Sequence, residues 1–264
     1  MESGSRGQFL GYVKACLRPQ GGLDRAASTI YPPTHLCLDV WHDGGCGRKK
    51  RPDLPIRPAT FLRQGVEPRA EVVQVVQPYI DAVAELGRRP LDVHLSRSLD
   101  QSAIASLTAE AMRRSTHSDF GMQNFGGVRA TMPAGEVHFS QAFAALPFDN
   151  TVVQVRMSGA QIEALLRVLG GRHGGRGLTA LAGLKSKGSG KALRAFTSKG
   201  KPLEPGFIYT VATSDFIVQG GEGVGGIFGK IKAEDKRYLD LPMRDTFVSL
   251  LQKVYPLPTT TVKR

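Results

Sequence analysis

Asn124-Phe125-Gly126-Gly127-Val128-Arg129 sets an amide, two adjacent glycines and a guanidinium side by side. Glycine carries no Cβ, so a ligand can lie against the backbone there. The arginine presents a planar fork of donors suited to phosphate or ribose oxygens. Further on, Leu146-Pro147-Phe148-Asp149-Asn150 holds an aromatic ring next to a proline-stiffened turn, and Ser214-Asp215-Phe216 leads into Gly220-Gly221-Glu222-Gly223. Two rings, an arginine, an amide and a carboxylate are the parts of a nucleoside pocket: rings stack a base, and Arg and Glu engage sugar and phosphate. Each residue also has a commoner use, phenylalanine in cores and glycine in turns, and on spacing alone that use prevails.

The elements that must position these groups are legible from about Val66 onward. Pro68 opens a helical stretch to about Leu86, with Val72, Val76, Tyr79, Ile80 and Val83 near one face and Pro78 expected to bend it. Leu91–Leu95 reads as a strand and 101–114 as a helix. A strand at Asp119–Gln123 runs into the Asn124 segment. Ser140 is the expected cap of a short helix through Leu146, and Thr151–Met157 alternates as a strand. Ser158-Gly159-Ala160-Gln161 is a capping box opening a helix to Leu169, stopped by Gly170-Gly171. Strands are expected near 192–197 and 207–214. The last helix, 243–254, has Met243, Phe247, Leu250, Leu251 and Val254 on one stripe. This irregular alternation favours an α+β fold over a regular doubly wound sheet.

Residues 1–65 read differently. They hold all three cysteines, Cys16, Cys37 and Cys46, and the only tryptophan, Trp41, with ten Lys/Arg against five Asp/Glu and no sustained period. Only pieces such as Thr34–Trp41 read as strands. The expectation is a poorly ordered basic arm at 1–65 followed by one domain at 66–264. His35, Cys37, His42 and Cys46 match no familiar zinc spacing, and Gly183–Lys191 fails as a phosphate loop because Lys191 is followed by alanine.

The chain has 264 residues with 41% hydrophobic and 22% charged, which excludes a wholly disordered protein. Lys and Arg number 35 against 23 acids, a net charge of +12 that permits an anionic partner without identifying it. Residues 167–201 alone carry nine Lys/Arg and no acid. Three cysteines allow at most one disulfide. No apolar run of about 18 residues is present, and Met1–Gln20 has no apolar core of about seven residues of the kind a secretory signal needs.

The run Leu107–Leu166 resembles the C-terminal domain of the 5'-nucleotidase family. The family pattern is Asn-Leu-x-x-Asp-Ala-Met, Asn-Gly-Gly-Gly-Ile-Arg, Pro-Ala-Gly, Leu-Pro-Phe-Gly-Asn and a Leu/Met-x-Gly-x-x-Leu helix start. This chain answers with Ser106–Met112, Asn124–Arg129, Pro133-Ala134-Gly135, Leu146–Asn150 and Met157–Ile162. Tyr209–Phe216 and Gly220–Gly223 match the family's Tyr-x-Val-Ala-Thr-x-Asp-Phe and Gly-Gly-Asp-Gly. The resemblance covers about residues 66–255. It implies a four-layer α/β/β/α substrate-binding domain, with a base stacked between Phe148 and Phe216. It also implies nucleotide contacts from Asn124 and Arg129 over Gly126 and Gly127, and a ribose contact from Glu222, where the family has Asp. Arg97 is the nearest match to a further family arginine. Phe125 replaces the first glycine of the triplet and is expected to crowd the pocket floor.

In that family the chemistry belongs to a metallophosphoesterase domain, whose two divalent metals activate water. Its Gly-Asp, Gly-Asn-His and Gly-His-x-His elements do not occur in this sequence. Asp92-Val93-His94 stands alone without them. The resemblance thus implies the nucleotide-recognition half of a hydrolase of nucleotide catabolism, without cofactor or catalytic residues in this chain. Its expected partners are a nucleotide or nucleoside and a separate metallophosphoesterase domain, with no membrane. The reading frame is expected to descend, by truncation or frameshift, from a full-length enzyme; relatives of the family are mostly exported. A stand-alone nucleotide-binding module, or a basic nucleic-acid binder using 167–201 and the arm, is the less favoured alternative.

Overall fold

The computed structural model describes residues 9–35, 37–42, 55–170 and 179–257. They divide into two compact units, Met1–Asp81 and Ala82–Arg264. The Arg48–Arg51 cluster, Cys46 and the 171–178 part of the basic stretch lie outside the described residues.

In the first unit β1 (Phe9–Leu10) pairs with β4 (Thr34–His35), and β2 (Val13–Leu17) with β3 (Leu23–Ile30). β5 (Asp39–Trp41) pairs with β6 (Ile56–Pro58), and β7 (Thr60–Phe61) with β8 (Gln64–Gly65), all antiparallel. The described part of the expected arm is therefore laddered rather than irregular. Its sequence shows no period because the ladders cover almost no core: Leu17, Leu23, Ile30 and Ile56 are exposed, and of its described hydrophobic residues only Val40 and Ala59 are buried. Helix α1 (Ala70–Gly87) contains Pro78 and buries no residue.

The second unit is built on a mixed five-stranded sheet. Its strands, in spatial order, are β13 (Thr179–Ala182), β10 (Phe120–Asn124), β16 (Ile208–Ser214), β12 (Thr151–Ser158) and β17 (Lys236–Pro242). Only β10 and β16 are parallel neighbours, with Phe120 opposite Val211 and Gly121 opposite Ala212. Adjacent residues along a strand point to opposite faces, and here both faces are covered. Val152, Ala180 and Ala212 enter one buried cluster with α2 (Gln101–Ser115), α7 (Met243–Val254) and β9 (Pro90–Leu95). Val153 and Val211 enter the other with α4 (Gly159–Gly170) and α6 (Gly225–Phe228). Two-stranded ladders complete the unit: β9 with β11 (Gly135–His138), and β14 (Leu184–Lys187) with β15 (Arg194–Thr197). The strands thus form one five-stranded sheet and small ladders, where the expected layering called for two stacked sheets.

Local chemistry accounts for the element ends. Asp100 caps α2, its carboxylate accepting the Ala103 N–H at 2.7 Å. Ser158 and Gln161 make the expected capping box at the start of α4: Ser158 N donates to Gln161 Oε1 and Gln161 N to Ser158 Oγ. The short helix α3 (Phe139–Ala145) begins one residue before the expected cap: His138 flanks it, its N–H donating to Gln141 Oε1 at 2.6 Å, so Ser140 sits inside the helix. Between α2 and β10 the packing is tight enough that a Cβ on Gly121 would fall about 2.0 Å from the Ala109 carbonyl oxygen.

Candidate functional site

The carboxyl ends of β10 and β16 lie side by side because the two strands run parallel. In α/β sheets this is where ligands collect, since chain leaving parallel strands opens a crevice beyond their ends. β10 ends at Asn124 and passes into a single 3-10 turn at Phe125–Gly127. β16 ends at Ser214, whose hydroxyl caps the short helix α5 (Asp215–Val218) by accepting the Ile217 N–H. The antiparallel register of β12 sets Val152 opposite Ser214, which brings the Phe148–Thr151 segment beside Asp215 and Phe216. Thr151 Oγ1 donates to Asp215 Oδ2 at 3.4 Å, tying the two segments together.

Asn124 is buried, and its Nδ2 donates to Glu222 Oε1 at 2.8 Å. Glu222 adopts φ 56°, a left-handed conformation uncommon for a residue with a side chain. Of the two glycines of the turn, Gly127 leaves no room for a Cβ and Gly126 only tight room. A Cβ on Gly126 would lie 3.1 Å from the Glu222 carboxylate, and one on Gly127 would lie 2.4 Å from Gln123 Nε2. Gly221, next to Glu222, lies under the Phe216 ring, since a Cβ there would come within 2.4 Å of it.

Arg129 anchors its backbone N–H on the Ala145 carbonyl at 2.8 Å and holds its guanidinium 5.5 Å from the centre of the Phe148 ring. Phe148 is 40% exposed and Phe216 44% exposed, so neither ring has the core role that spacing alone would give it. Seven of the expected residues therefore gather around the strand ends: Asn124, Gly126, Gly127 and Glu222 in one contact group, Phe216 packed beside it, and Arg129 with Phe148 across the β12–β16 register. Arg97 does not join them. It lies on the loop between β9 and α2, makes no hydrogen bond or ion pair with a described residue, and lines a separate open hollow with Ser98 and Thr131.

Phe125 is half-buried and packs against the cluster on the α2–α7 face. Gln123 Oε1 and Thr213 Oγ1, each one residue before the end of its parallel strand, are buried without a hydrogen-bond partner among the described residues.

A residue that spacing did not single out secures the Phe148 loop. Arg244, in the first turn of α7, is buried; it donates from Nη2 to Asp149 Oδ1 at 2.7 Å and stacks 4.5 Å from the Phe143 ring centre. The next anchor is the Met243 N–H, which donates to the Asn150 carbonyl at 2.9 Å. The visible signal was an arginine inside the apolar stripe of the last helix, beside Met243 and Phe247.

Among the described residues no three His, Cys, Asp or Glu side chains gather in a way that could hold a metal ion. Asp92 and His94 lie on β9, both exposed, away from any such group.

A mixed sheet covered on both faces, with glycines, amide, arginine and open rings at the ends of its parallel strands, defines an α+β domain. The chain belongs to the family whose model is described as 5'-nucleotidase, C-terminal domain, matched over residues 83–229. It is 31% identical over 125 residues to Protein UshA of Yersinia enterocolitica, spanning 47% of this chain and 23% of that protein. It is 24% identical over 183 residues to a 5'-nucleotidase of Vibrio vulnificus, spanning 64% of this chain and 32% of the relative. Among solved structures, a 5'-nucleotidase precursor from Thermus thermophilus shares the fold with a TM-score of 0.59 at 18% identity, covering 94% of this chain and 48% of that one. A putative 5'-nucleotidase from Staphylococcus aureus gives 0.62 at 10% identity, covering 97% and 49%. The chain thus spans 23% and 32% of these curated relatives and about half of the solved ones.

Proposed function

We propose that residues 82–257 recognise a nucleotide or nucleoside, the base stacking on Phe148 and Phe216 and the sugar and phosphate meeting Glu222, Asn124 and Arg129. The observation that carries this reading is the exposure of both phenylalanine rings at strand ends held together by the β12–β16 register. A phenylalanine left open costs apolar hydration, and a planar ligand recovers it. The relatives named as nucleotidases support the choice of ligand class.

Hydrolysis is assigned to a metallophosphoesterase element supplied from outside the described residues. The binding half alone is expected to be weak. Each stacked aromatic contributes about 1–3 kcal/mol and an arginine contact about 1.5–3 kcal/mol, while ordering and desolvation subtract from both. A net of about 4 kcal/mol corresponds to millimolar affinity.

Thermal melting of the full chain with increasing adenosine or AMP tests the proposal. A concentration-dependent rise in Tm that disappears in Phe148→Ala and Phe216→Ala supports it. No rise in the parent chain, or an equal rise in both variants, refutes it.

A further inference from the structure

The described parts of the basic stretch 167–201, residues 167–170 and 179–201, supply none of the residues of the proposed nucleotide site. In the β14–β15 ladder Lys187 stands directly opposite Arg194, and Lys185 opposite Phe196. Directly paired residues share a face, and residues two apart along a strand point the same way. Lys185, Lys187, Arg194 and Phe196 therefore form one face of the hairpin, while Leu184 enters the buried cluster beneath. Like charges set opposite each other in a ladder are destabilising, and residues 179–201 contain no acid of their own; Glu163, which shares a hollow with Arg194 and Phe196, is already engaged by Arg167 and the Ala195 N–H. Neither lysine forms an ion pair among the described residues, and Arg194 turns its Nη1 to the carbonyls of Lys191 and Leu193.

The turn after β15 carries two further lysines, on the side of the ladder that bears Thr197. Gly200, at φ 83°, lets the chain double back, with Thr197 N donating to the Lys201 carbonyl at 2.8 Å. Lys199 and Lys201 then line an open cavity of about 530 Å³ with Arg113, Asp119 and Tyr209. The acids there are already engaged. Asp119 Oδ2 accepts the Thr210 N–H and hydroxyl, and Glu110 accepts Arg113 and Arg114. The uncompensated charge is positive. Tyr209 marks the opening end of β16 and Ser214 its far end, about 17 Å apart at strand rise, so this surface is remote from Phe148 and Phe216.

We propose that the face of the β14–β15 hairpin formed by Lys185, Lys187, Arg194 and Phe196 binds single-stranded nucleic acid, with Lys199 and Lys201 adding positive charge at its edge. Lys185 and Lys187, about 7 Å apart, contact successive stretches of the phosphodiester backbone, and Phe196 is the platform for a base. An unpaired cation row with an aromatic ring in the same face is the composition that such strands select, since the phosphates supply affinity and any base can stack. A lone phosphate would need one or two lysines; the row exceeds that.

Fluorescence anisotropy of the full chain with a labelled oligothymidylate of about 20 nucleotides, across a salt series, tests this. Lys185→Glu with Lys187→Glu is expected to weaken binding at least about tenfold and to flatten the salt slope by about 1.4, two phosphates at about 0.7 each. Phe196→Leu is expected to weaken binding by about fivefold or more without changing that slope. Lys230→Glu with Lys253→Glu makes the same net-charge change elsewhere and is expected to cost less than about threefold. Adenosine-induced stabilisation stays as in the parent in all of these variants, which separates the two sites. Equal losses in both charge-reversal pairs would reduce the effect to the general attraction of a basic chain and overturn the proposal. It is also overturned by no binding near physiological salt, by an unaffected Phe196→Leu, or by tighter binding to phosphatidylserine vesicles than to the oligonucleotide.

Discussion

Asn124 and Glu222, 98 residues apart in the chain, are joined by a 2.8 Å hydrogen bond from Nδ2 to Oε1 that ties the end of β10 to the Gly221–Gly223 turn beyond α5. The bond has an ionised acceptor and a buried donor, a combination stronger than a neutral pair.

Glu222→Gln keeps an acceptor at that position but removes the charge. Nucleoside affinity is expected to fall by about three- to tenfold, in line with losing a charge-assisted contact worth about 1 kcal/mol more than a neutral one. Asn124→Ala, which strips the buried partner, is expected to cost about 1–3 kcal/mol in folding as well. Titration calorimetry and urea denaturation separate the two effects.

The Arg244–Asp149 pair makes a prediction of the opposite kind. The Asp149 side chain is 92% exposed and that of Arg244 only 10%. Asp149→Asn is therefore expected to change stability by less than about 1 kcal/mol, as for solvent-screened ion pairs. The same change loosens the loop bearing Phe148, so adenosine affinity drops several-fold. Arg244→Ala removes a buried stem from Phe143 and Phe247's neighbourhood and is expected to cost about 3 kcal/mol or more. Equal stability losses in both variants would show that the pair is not asymmetric.

Glu110 sets a pH dependence. Its hydrogen bond to Arg113 holds the carboxyl below the usual carboxylate range; partial burial opposes this, and Arg114 adds to the lowering. A carboxylate whose folded pKa is depressed adds stability that is fully present above its unfolded pKa, about 4.3, and is lost as pH falls through the folded value. The Tm gap between the parent and Glu110→Gln is expected to be flat above about pH 5 and to close under more acidic conditions. A gap that widens on acidification would contradict this.

Gly221 lies against the Phe216 ring, so Gly221→Ala forces the ring to turn. Its expected signature is a loss of adenosine affinity of about tenfold, the value of a stacked face, with a Tm shift small beside that of Gly121→Ala. The latter meets backbone, the Ala109 carbonyl, and is expected to cost about 3 kcal/mol or more.

Much of the second unit was legible because its elements bury one face and so keep a period. α2, β12, α4, β16 and α7 all fall where alternation or helical spacing placed them. The capping box at Ser158 and the glycine pair at 126–127 also stand where the residues placed them. What stayed hidden has physical reasons. The first unit's ladders cover almost no core, so neither face needed apolar residues. β13 and β14 are only four residues each and lie beside glycines and lysines, and β17 carries charged residues that mask its alternation. Arg97 was matched by motif order alone, and order along the chain does not ensure proximity. Arg244 escaped because a buried arginine breaks the pattern that identifies its own helix.

The close approach at Gly121 also bears on how the unit assembles. Ala109 and Gly121 are twelve residues apart, so their meeting closes one of the shorter loops in the domain, whereas joining β10 to β16 must close a loop of some ninety. The helix and strand that touch most tightly are thus those with least chain entropy to surrender first. They are expected to form first, so that substitutions at their interface slow folding more than they speed unfolding, which paired folding and unfolding rates of Gly121→Ala and the parent would check.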